Sequence, residues 1–163
     1  MNVRRMNQIC LTLAALFLLV ACERDTNVVF TDISDIADGR WFVKNTPVFR
    51  FTIADAAQPY DLYYTLRYSL TYPYYNLYLT RYLTNGQGRM IESRLDELLL
   101  LDAKTGQPRG NGLGDIYDYK VQMKRAYRFP APGTYTLKIK QYMRQDPLPD
   151  IVSVGISVEQ SSQ

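Results

Sequence analysis

The sequence predicts an all-β domain in which two antiparallel sheets pack face to face as a sandwich. The first observation is a strict two-residue alternation from Tyr60 to Tyr72, with Tyr or Leu at even positions and mostly polar residues at odd ones. Side chains of a strand alternate between its two faces with this period. The second observation is that eight or so such short segments are separated by turns, without a convincing amphipathic helix. Short strands at this spacing are typical of a two-sheet sandwich.

The first 21 residues have the pattern of a bacterial lipoprotein signal peptide. Arg4 and Arg5 precede an apolar stretch, Ile9 to Val20, which is followed by a small residue and Cys22. The stretch is too short to span a bilayer, and it ends where a signal peptidase would cut. We therefore predict cleavage before Cys22 and attachment of acyl chains such as palmitate to this cysteine, which anchors the chain stably. An ordinary membrane-anchor helix and a simple secretory signal are the alternatives.

The predicted organisation of the mature chain is simple. Residues 22–27 are the lipidated cysteine and a short tether, residues 28–160 a single sandwich domain, and residues 161–163 a frayed tail. Of 19 basic and 16 acidic residues, two basic ones are lost with the signal, so the mature chain is almost neutral. This balance gives no support for nucleic-acid binding. The domain has no cysteine beyond the lipidated one, so we expect its core to stabilise it without a disulfide.

The predicted strands follow one another along the domain from Val28 onward. A segment of mixed polar and apolar residues follows the first strand and contains Trp41, the single Trp. We expect Trp41 to be a core residue with its indole N–H bonded to backbone. Residues 107–114 are rich in Gly and Pro and are predicted to be a loop. The further strands are expected within residues 48–54, 60–72, 77–83, 89–94, 96–101, 115–128, 134–143 and 151–158.

Two turns are predicted to form hairpins. Residues 60–83 should be one long hairpin that turns at the Tyr-Pro-Tyr-Tyr-Asn segment of residues 72–76, because Pro cannot donate to a central ladder. Asn85-Gly86 is the strongest short-range hairpin signal in the chain. Leu70 and Tyr72 should continue the apolar face of the first arm.

The sequence offers no catalytic or metal site. There is no His, and Cys10 and Cys22 are both accounted for, which excludes the usual zinc, Cys–His and Ser–His–Asp chemistry. The glycine-rich residues 110–114 lack the spacing of a dinucleotide fingerprint and the Lys-Ser/Thr of a P-loop. Asp115 and Asp118 lack the spacing of a calcium loop. We therefore predict a non-enzymatic protein with no cofactor except its covalent lipid.

Tyrosine is the unusual component of this composition, with 14 residues. Tyr is large and rigid and loses little rotamer entropy on contact, while Arg pairs with carboxylates or stacks on rings. Outward Tyr and Arg side chains are therefore candidates for a surface that binds another protein. The competing interpretation is that Tyr simply suits a half-buried sheet surface. Exposed rings can also bind sugars. The residues of the candidate partner surface are Tyr63, Arg67, Tyr74, Tyr75, Tyr78, Arg81 and Tyr82.

A series of landmarks runs through nearly the whole mature chain. The most specific are Tyr72–Leu77 and Gln141–Arg144. The others are Phe30, Trp41, Phe51, Leu66-Arg67, Asp96, Gly110, Gly112, Gly114, Ile116-Tyr117, Phe129-Pro130, Gly133, Tyr135, Leu148, Ile151 and Val154-Gly155. Their order resembles the GldH family, the gliding-motility lipoproteins of Bacteroidetes-type bacteria, although Gln107-Pro108-Arg109 stands where that family has its second Trp.

The resemblance implies a cell-envelope lipoprotein that serves the gliding machinery and the associated type IX secretion apparatus, and it provides no catalytic residues. We expect the protein to be lipid-anchored in the periplasm or at the outer membrane and to act through contacts with other envelope proteins. The alternative is a lipid-anchored carbohydrate-binding sandwich. Such a module would need aromatic rings beside Asp, Asn or Arg side chains.

Overall fold

The computed structural model describes residues 27–161, so the predicted signal peptide, Cys22 and most of the tether lie outside the described residues. Nine strands and a short 3-10 turn, Ala37–Gly39, make up the fold. None of the residues from 27 to 161 belongs to a helix long and apolar enough to cross a membrane. The strands are β1 (Val28–Asp35), β2 (Val48–Ile53), β3 (Tyr60–Ser69), β4 (Asn76–Asn85), β5 (Met90–Leu99), β6 (Asn111–Leu113), β7 (Ile116–Tyr127), β8 (Gly133–Gln141) and β9 (Ile151–Gln160).

Two antiparallel sheets contain these strands, which confirms the predicted all-β sandwich. The five-stranded sheet has the order β1-β9-β3-β7-β6, and the four-stranded sheet has the order β2-β8-β4-β5. At one margin of the sandwich the Phe30 ring of β1 lies 5.7 Å from the Phe51 ring of β2. At the other margin β7 faces β5, where Lys124 pairs with Glu92.

The predicted alternation of β3 is confirmed up to its last residues. Every second side chain of the strand is buried in the core, while its neighbours are half-buried or exposed. Leu70 was expected inward but is exposed, because β3 ends at Ser69 and the Leu70 amide donates to Asp115 in a turn. The inward residues of β3 are Tyr60, Leu62, Tyr64, Leu66 and Tyr68.

The predicted long hairpin over residues 60–83 is wrong, because β3 and β4 belong to different sheets. Residues 70–75 cross from one sheet to the other, and Tyr72 is buried at the crossing with its hydroxyl donating to the Asn76 carbonyl at 2.9 Å. Each strand has one apolar face. Packing these two faces against each other buries both, whereas edge-to-edge pairing would leave both in need of another cover.

Trp41 is the core residue that the sequence predicts. It is fully buried, and its indole Nε1 donates to the Asn45 carbonyl at 2.7 Å. Its backbone exchanges two hydrogen bonds with Leu148, at 2.8 and 2.9 Å. The pair therefore holds the segment before β2 against the segment before β9.

The glycine-rich stretch differs from the predicted loop, since residues 111–113 form β6 and pair with the start of β7. A Cβ atom on Gly112 would lie 2.4 Å from the Tyr117 ring, so only glycine lets this hairpin rest on that ring. Likewise, residues 90–99 form one continuous strand, β5, where the sequence suggested two segments.

Gly155 permits a close approach of β1 and β3 to β9. A Cβ atom here would lie 2.5 Å from the Asp32 carbonyl oxygen and 2.5 Å from Thr65 Oγ1. We expect Gly155→Ala to lower the free energy of unfolding by about 1–3 kcal/mol, as overpacking does in other cores. Thermal melting of the purified protein measures this change.

The matched control for that substitution is Thr65→Ala, which removes one of the three atoms that a Cβ at position 155 would meet within 3 Å. Because Thr65 Oγ1 is buried and has no hydrogen-bond partner among the described residues, its removal alone should cost little. The double variant should then be more stable than the sum of the two single effects predicts. Strict additivity would show that the contact with Thr65 is unimportant.

Candidate functional site

The structure divides the predicted partner surface between opposite sides of the domain. Tyr63 and Arg67 lie on the outer face of the five-stranded sheet, whereas Tyr78 and Tyr82 lie on the outer face of the four-stranded sheet. Tyr74 and Tyr75 lie in the crossing between the sheets. The seven residues therefore do not form one surface, because the outer faces of two packed sheets point in opposite directions.

Arg81 does not belong to the surface, and its predicted exposure is wrong. Its side chain points into the sandwich and is 1% exposed. The reason is its position in β4, where it shares a face with the buried Leu79 and Leu83. A charged residue at an inward position requires charged partners inside the domain.

Those partners form an interior ion cluster that joins the two sheets. Arg81 Nη2 pairs with Glu92 at 2.5 Å, and Arg81 Nη1 pairs with Asp96 at 2.5 Å. From the opposite sheet, the Tyr64 hydroxyl donates to Asp96 Oδ2 at 2.7 Å, and Lys124 pairs with Glu92. Both carboxylates are thus engaged by cations.

The protonation of this cluster follows from its burial and its charges. Burial and the Asp96 carboxylate raise the pKa of Tyr64, so the phenol stays neutral and donates. Burial alone would raise the pKa of Glu92, but Lys124 and Arg81 outweigh it and hold the pKa below its ordinary value. The cluster therefore stabilises the packing of β5 against β7. The sequence analysis did not predict this ion cluster, although the alternation of β4 places Arg81 at an inward position and so indicates a buried charge.

A groove lined mainly by apolar and aromatic side chains opens on the outer face of the four-stranded sheet. Its volume is about 460 Å³. Tyr142 is 62% exposed and Leu95 is 50% exposed, so the groove presents apolar surface to solvent. We call it the aromatic groove, and its lining residues are Tyr74, Tyr78, Leu95, Tyr142, Met143 and Arg144.

Backbone pairing assembles the aromatic groove from three separate parts of the chain. The Tyr142 amide donates to the Tyr78 carbonyl at 2.8 Å, which places the segment after β8 beside β4. The Tyr78 amide lies 3.2 Å from Met143 Sδ, and the Met143 amide donates to Gln141 Oε1 at 2.7 Å. The third part is β5, which supplies Leu95 opposite Thr80 of β4. The groove contains Tyr74 and Tyr78 of the predicted surface, while Leu95 and Tyr142 were not predicted as site residues.

The walls of the groove are held in place. The Tyr74 hydroxyl donates to Gln145 Oε1 at 2.8 Å, and its ring meets the buried Tyr72 ring edge-on at 5.7 Å. The Glu97 carboxylate raises the pKa of Tyr78 and accepts a hydrogen bond from Asn76 Nδ2 at 2.6 Å. A partner would therefore meet a preorganised Tyr74 ring, which lowers the entropy cost of binding at that wall.

A second, more polar groove of about 610 Å³ lies on the outer face of the five-stranded sheet. Arg67 and Asp118 form a bidentate pair there, at 2.8 and 3.0 Å, which lowers the pKa of Asp118. Thr65 also lines this groove, but its hydroxyl oxygen is buried beneath the surface. Tyr63 lies nearby, but Lys120 Nζ covers its ring at 4.4 Å from the centroid. This groove offers polar groups without an open aromatic platform.

The described residues do not place three or more His, Cys, Asp or Glu side chains where they could hold a metal ion. The aromatic groove and the polar groove lie on opposite faces of the domain.

Comparisons with a family model and with curated proteins point to the same family. A family model described as GldH lipoprotein matches residues 28–158. The "Gliding motility lipoprotein GldH homolog" of Christiangramia forsetii is 26% identical over 153 residues, covering 90% of this chain and 91% of the relative. The "Gliding motility lipoprotein GldH" of Flavobacterium johnsoniae is 29% identical over 156 residues, covering 91% of this chain and 93% of the relative.

Solved structures show only remote similarity. A chain of infectious bursal disease virus, Gt strain, has a TM-score of 0.35 at 14% identity, with 81% of this chain and 31% of that chain covered. Dimeric latent PorU from Porphyromonas gingivalis has a TM-score of 0.33 at 8% identity, with 87% of this chain and 14% of that chain covered. This chain thus spans less than a third of either structure, and scores at this level carry no argument about function.

Proposed function

Because this chain belongs to the GldH lipoprotein family, whose model matches residues 28–158, we propose that it is a non-enzymatic envelope lipoprotein of the gliding machinery. The resemblance that the sequence predicts is thereby confirmed. In this proposal the protein assists the gliding apparatus or the associated type IX secretion apparatus through protein–protein contacts. Its lipid anchor holds it to a membrane in the periplasm or at the outer membrane.

The observation that carries this proposal is the aromatic groove. Tyr and Met side chains are enriched where proteins bind each other, and rigid rings lose little entropy on contact. A role limited to covering the sheet explains a half-buried ring such as Tyr78, but it explains little about Tyr142, whose surface is mostly in solvent. The groove also unites the two most specific landmarks of the sequence, Tyr72–Leu77 and Gln141–Arg144.

We expect the double substitution Leu95→Ala with Tyr142→Ala to weaken retention of an envelope protein partner while the fold stays intact. Both side chains are exposed, so the free energy of unfolding should change by no more than about 0.5 kcal/mol. Crosslinking in cells, followed by quantification of the attached protein, measures partner retention. Thermal melting of the same variant measures its stability.

The matched control is Ile33→Ala with Val48→Ala, which removes two equally exposed apolar side chains outside the groove. It should leave partner recovery unchanged. If the groove variant melts at a lower temperature and recovers its partner normally, the rings serve only to cover the sheet.

The polar groove favours a second candidate function, carbohydrate binding. Arg67 and Asp118 present charged groups in this groove that could bond sugar hydroxyls. Against it stands the position of the Tyr63 ring, which does not line the groove and has Lys120 Nζ over one face. Loss of polysaccharide binding in Asp118→Ala, with unchanged protein contacts, would favour this function over the first.

A further inference from the structure

The aromatic groove lies at the end of the sandwich opposite to the point where the chain enters it. The Asn27 carbonyl accepts a hydrogen bond from Gln160, and Tyr60 at the start of β3 pairs with the same residue. At the far end of β3, the Tyr68 hydroxyl donates to the Leu100 carbonyl, beside the crossing that leads to the groove. Eight residues of strand separate these two ends, a distance of about 27 Å.

The position of the aromatic groove indicates which kind of molecule binds in it. Asn27 is the fifth residue after the predicted lipidation site, and five extended residues reach at most about 17 Å. The predicted anchor therefore ties the opposite end of the domain to the bilayer, and the groove lies on the outer face of the four-stranded sheet, away from that end. A protein is better placed than the anchoring membrane to occupy it.

The charges around the groove are predominantly basic. Arg144 lines it, and Lys138 and Lys140 project from the outer face of the adjacent β8. None of these three forms an ion pair with any residue between 27 and 161. Glu97, the acidic residue next to Tyr78, is bonded to the neutral Asn76 amide, and these three cations outnumber it. The uncompensated cations attract a partner with negative charge.

The free edge of β5 is a competing place of attachment, since β5 is the last strand of its sheet. Four of its ten residues are charged: Glu92, Arg94, Asp96 and Glu97. Charged side chains on an edge strand discourage the addition of another strand. The groove is therefore the better docking element on this side of the domain.

We propose that the aromatic groove binds an acidic segment of another envelope protein. An aliphatic or aromatic side chain of that segment lies between Tyr78, Leu95 and Tyr142, and its flanking carboxylates face Lys140 and Arg144. Burial of the apolar side chain supplies affinity, while the charges select the partner and speed the encounter. This inference rests on the proposed function and adds the chemistry of the partner.

The test is site-specific photocrosslinking in cells that express the full lipidated chain. Tyr142 is replaced by p-benzoylphenylalanine, and the crosslinked peptide is identified by mass spectrometry. We expect a protein segment with net negative charge and an apolar residue near the crosslink. Lys140→Glu with Arg144→Glu should reduce the crosslinking yield about tenfold, because close charge pairs at interfaces become repulsive.

The matched control is Arg89→Glu with Arg125→Glu, a reversal of two exposed arginines at the opposite end of the domain. It should leave the yield unchanged. A neutral or basic crosslinked segment, or a yield insensitive to the groove reversal, overturns the inference and leaves the proposed function intact. Proteins that crosslink from Tyr75 or Ile33 but not from Tyr142 likewise overturn the inference alone. Crosslinks to lipid or polysaccharide alone, from all three positions, overturn both.

Discussion

Replacement of Arg81 by Met is expected to destabilise the folded domain by about 3–5 kcal/mol. The guanidinium is almost fully buried between Glu92 and Asp96, and its loss leaves two partly buried carboxylates without their shared cation. Met has a similar length, so the result reports the lost charge more than a lost volume. Trp41 is the single Trp and is fully buried, which makes its fluorescence a suitable probe of denaturant unfolding.

Arg94→Met is the matched control, because Arg94 also pairs with Asp96 but does so from the surface. Its side chain is 66% exposed, and its Nε lies 3.2 Å from Asp96 Oδ1. Exposed ion pairs contribute about 0–1 kcal/mol, so this variant should be nearly as stable as the parent. Equal destabilisation by the two substitutions would contradict the role of the interior ion cluster.

The substitution Cys22→Ser is expected to leave the signal peptide uncleaved or mis-cleaved and to abolish acyl labelling completely. Only a thiol can form the thioether on which the lipoprotein pathway depends, and a hydroxyl at the same position cannot replace it. Labelling of cells with palmitate, together with fractionation of membranes, measures the outcome. Retention of label by the Ser variant would show that the predicted lipidation site is wrong.

Cys10→Ser provides the control within the same chain. Cys10 lies in the apolar stretch of the predicted signal peptide and is discarded on cleavage. Its replacement should leave labelling, cleavage and membrane retention unchanged. The two cysteines thus separate a general effect of thiol loss from the specific chemistry of position 22.

Several features of the fold follow from the sequence because they depend on local geometry. The two-residue period of an extended backbone decides which side chains share a face, so the inward positions of β3 could be assigned in advance up to Tyr68. The burial of Trp41 followed from its size and from the need of its indole N–H for a partner. The turn at Asn85-Gly86 followed from backbone preference and joins β4 to β5 as predicted.

The pairing of strands was not accessible in the same way. Alternation describes the two faces of a strand, and it is silent about which strands lie along its edges. The pattern of residues 60–83 is therefore equally compatible with a hairpin and with two strands in facing sheets, and the structure shows the second. That single difference separates Tyr63 from Tyr78 and divides the predicted surface.

Both candidate sites depend on this long-range pairing. The family landmarks Tyr72–Leu77 and Gln141–Arg144 were recognisable in the sequence, but their contact requires β4 to lie beside β8. The interior ion cluster draws Tyr64, Arg81, Glu92 and Lys124 from four strands of two sheets. The sequence by itself determined the family and the inward face of β3, because both depend on the local order and spacing of residues. Only the tertiary structure decided which faces meet, because burial of apolar area is satisfied by contacts between residues that are distant along the chain.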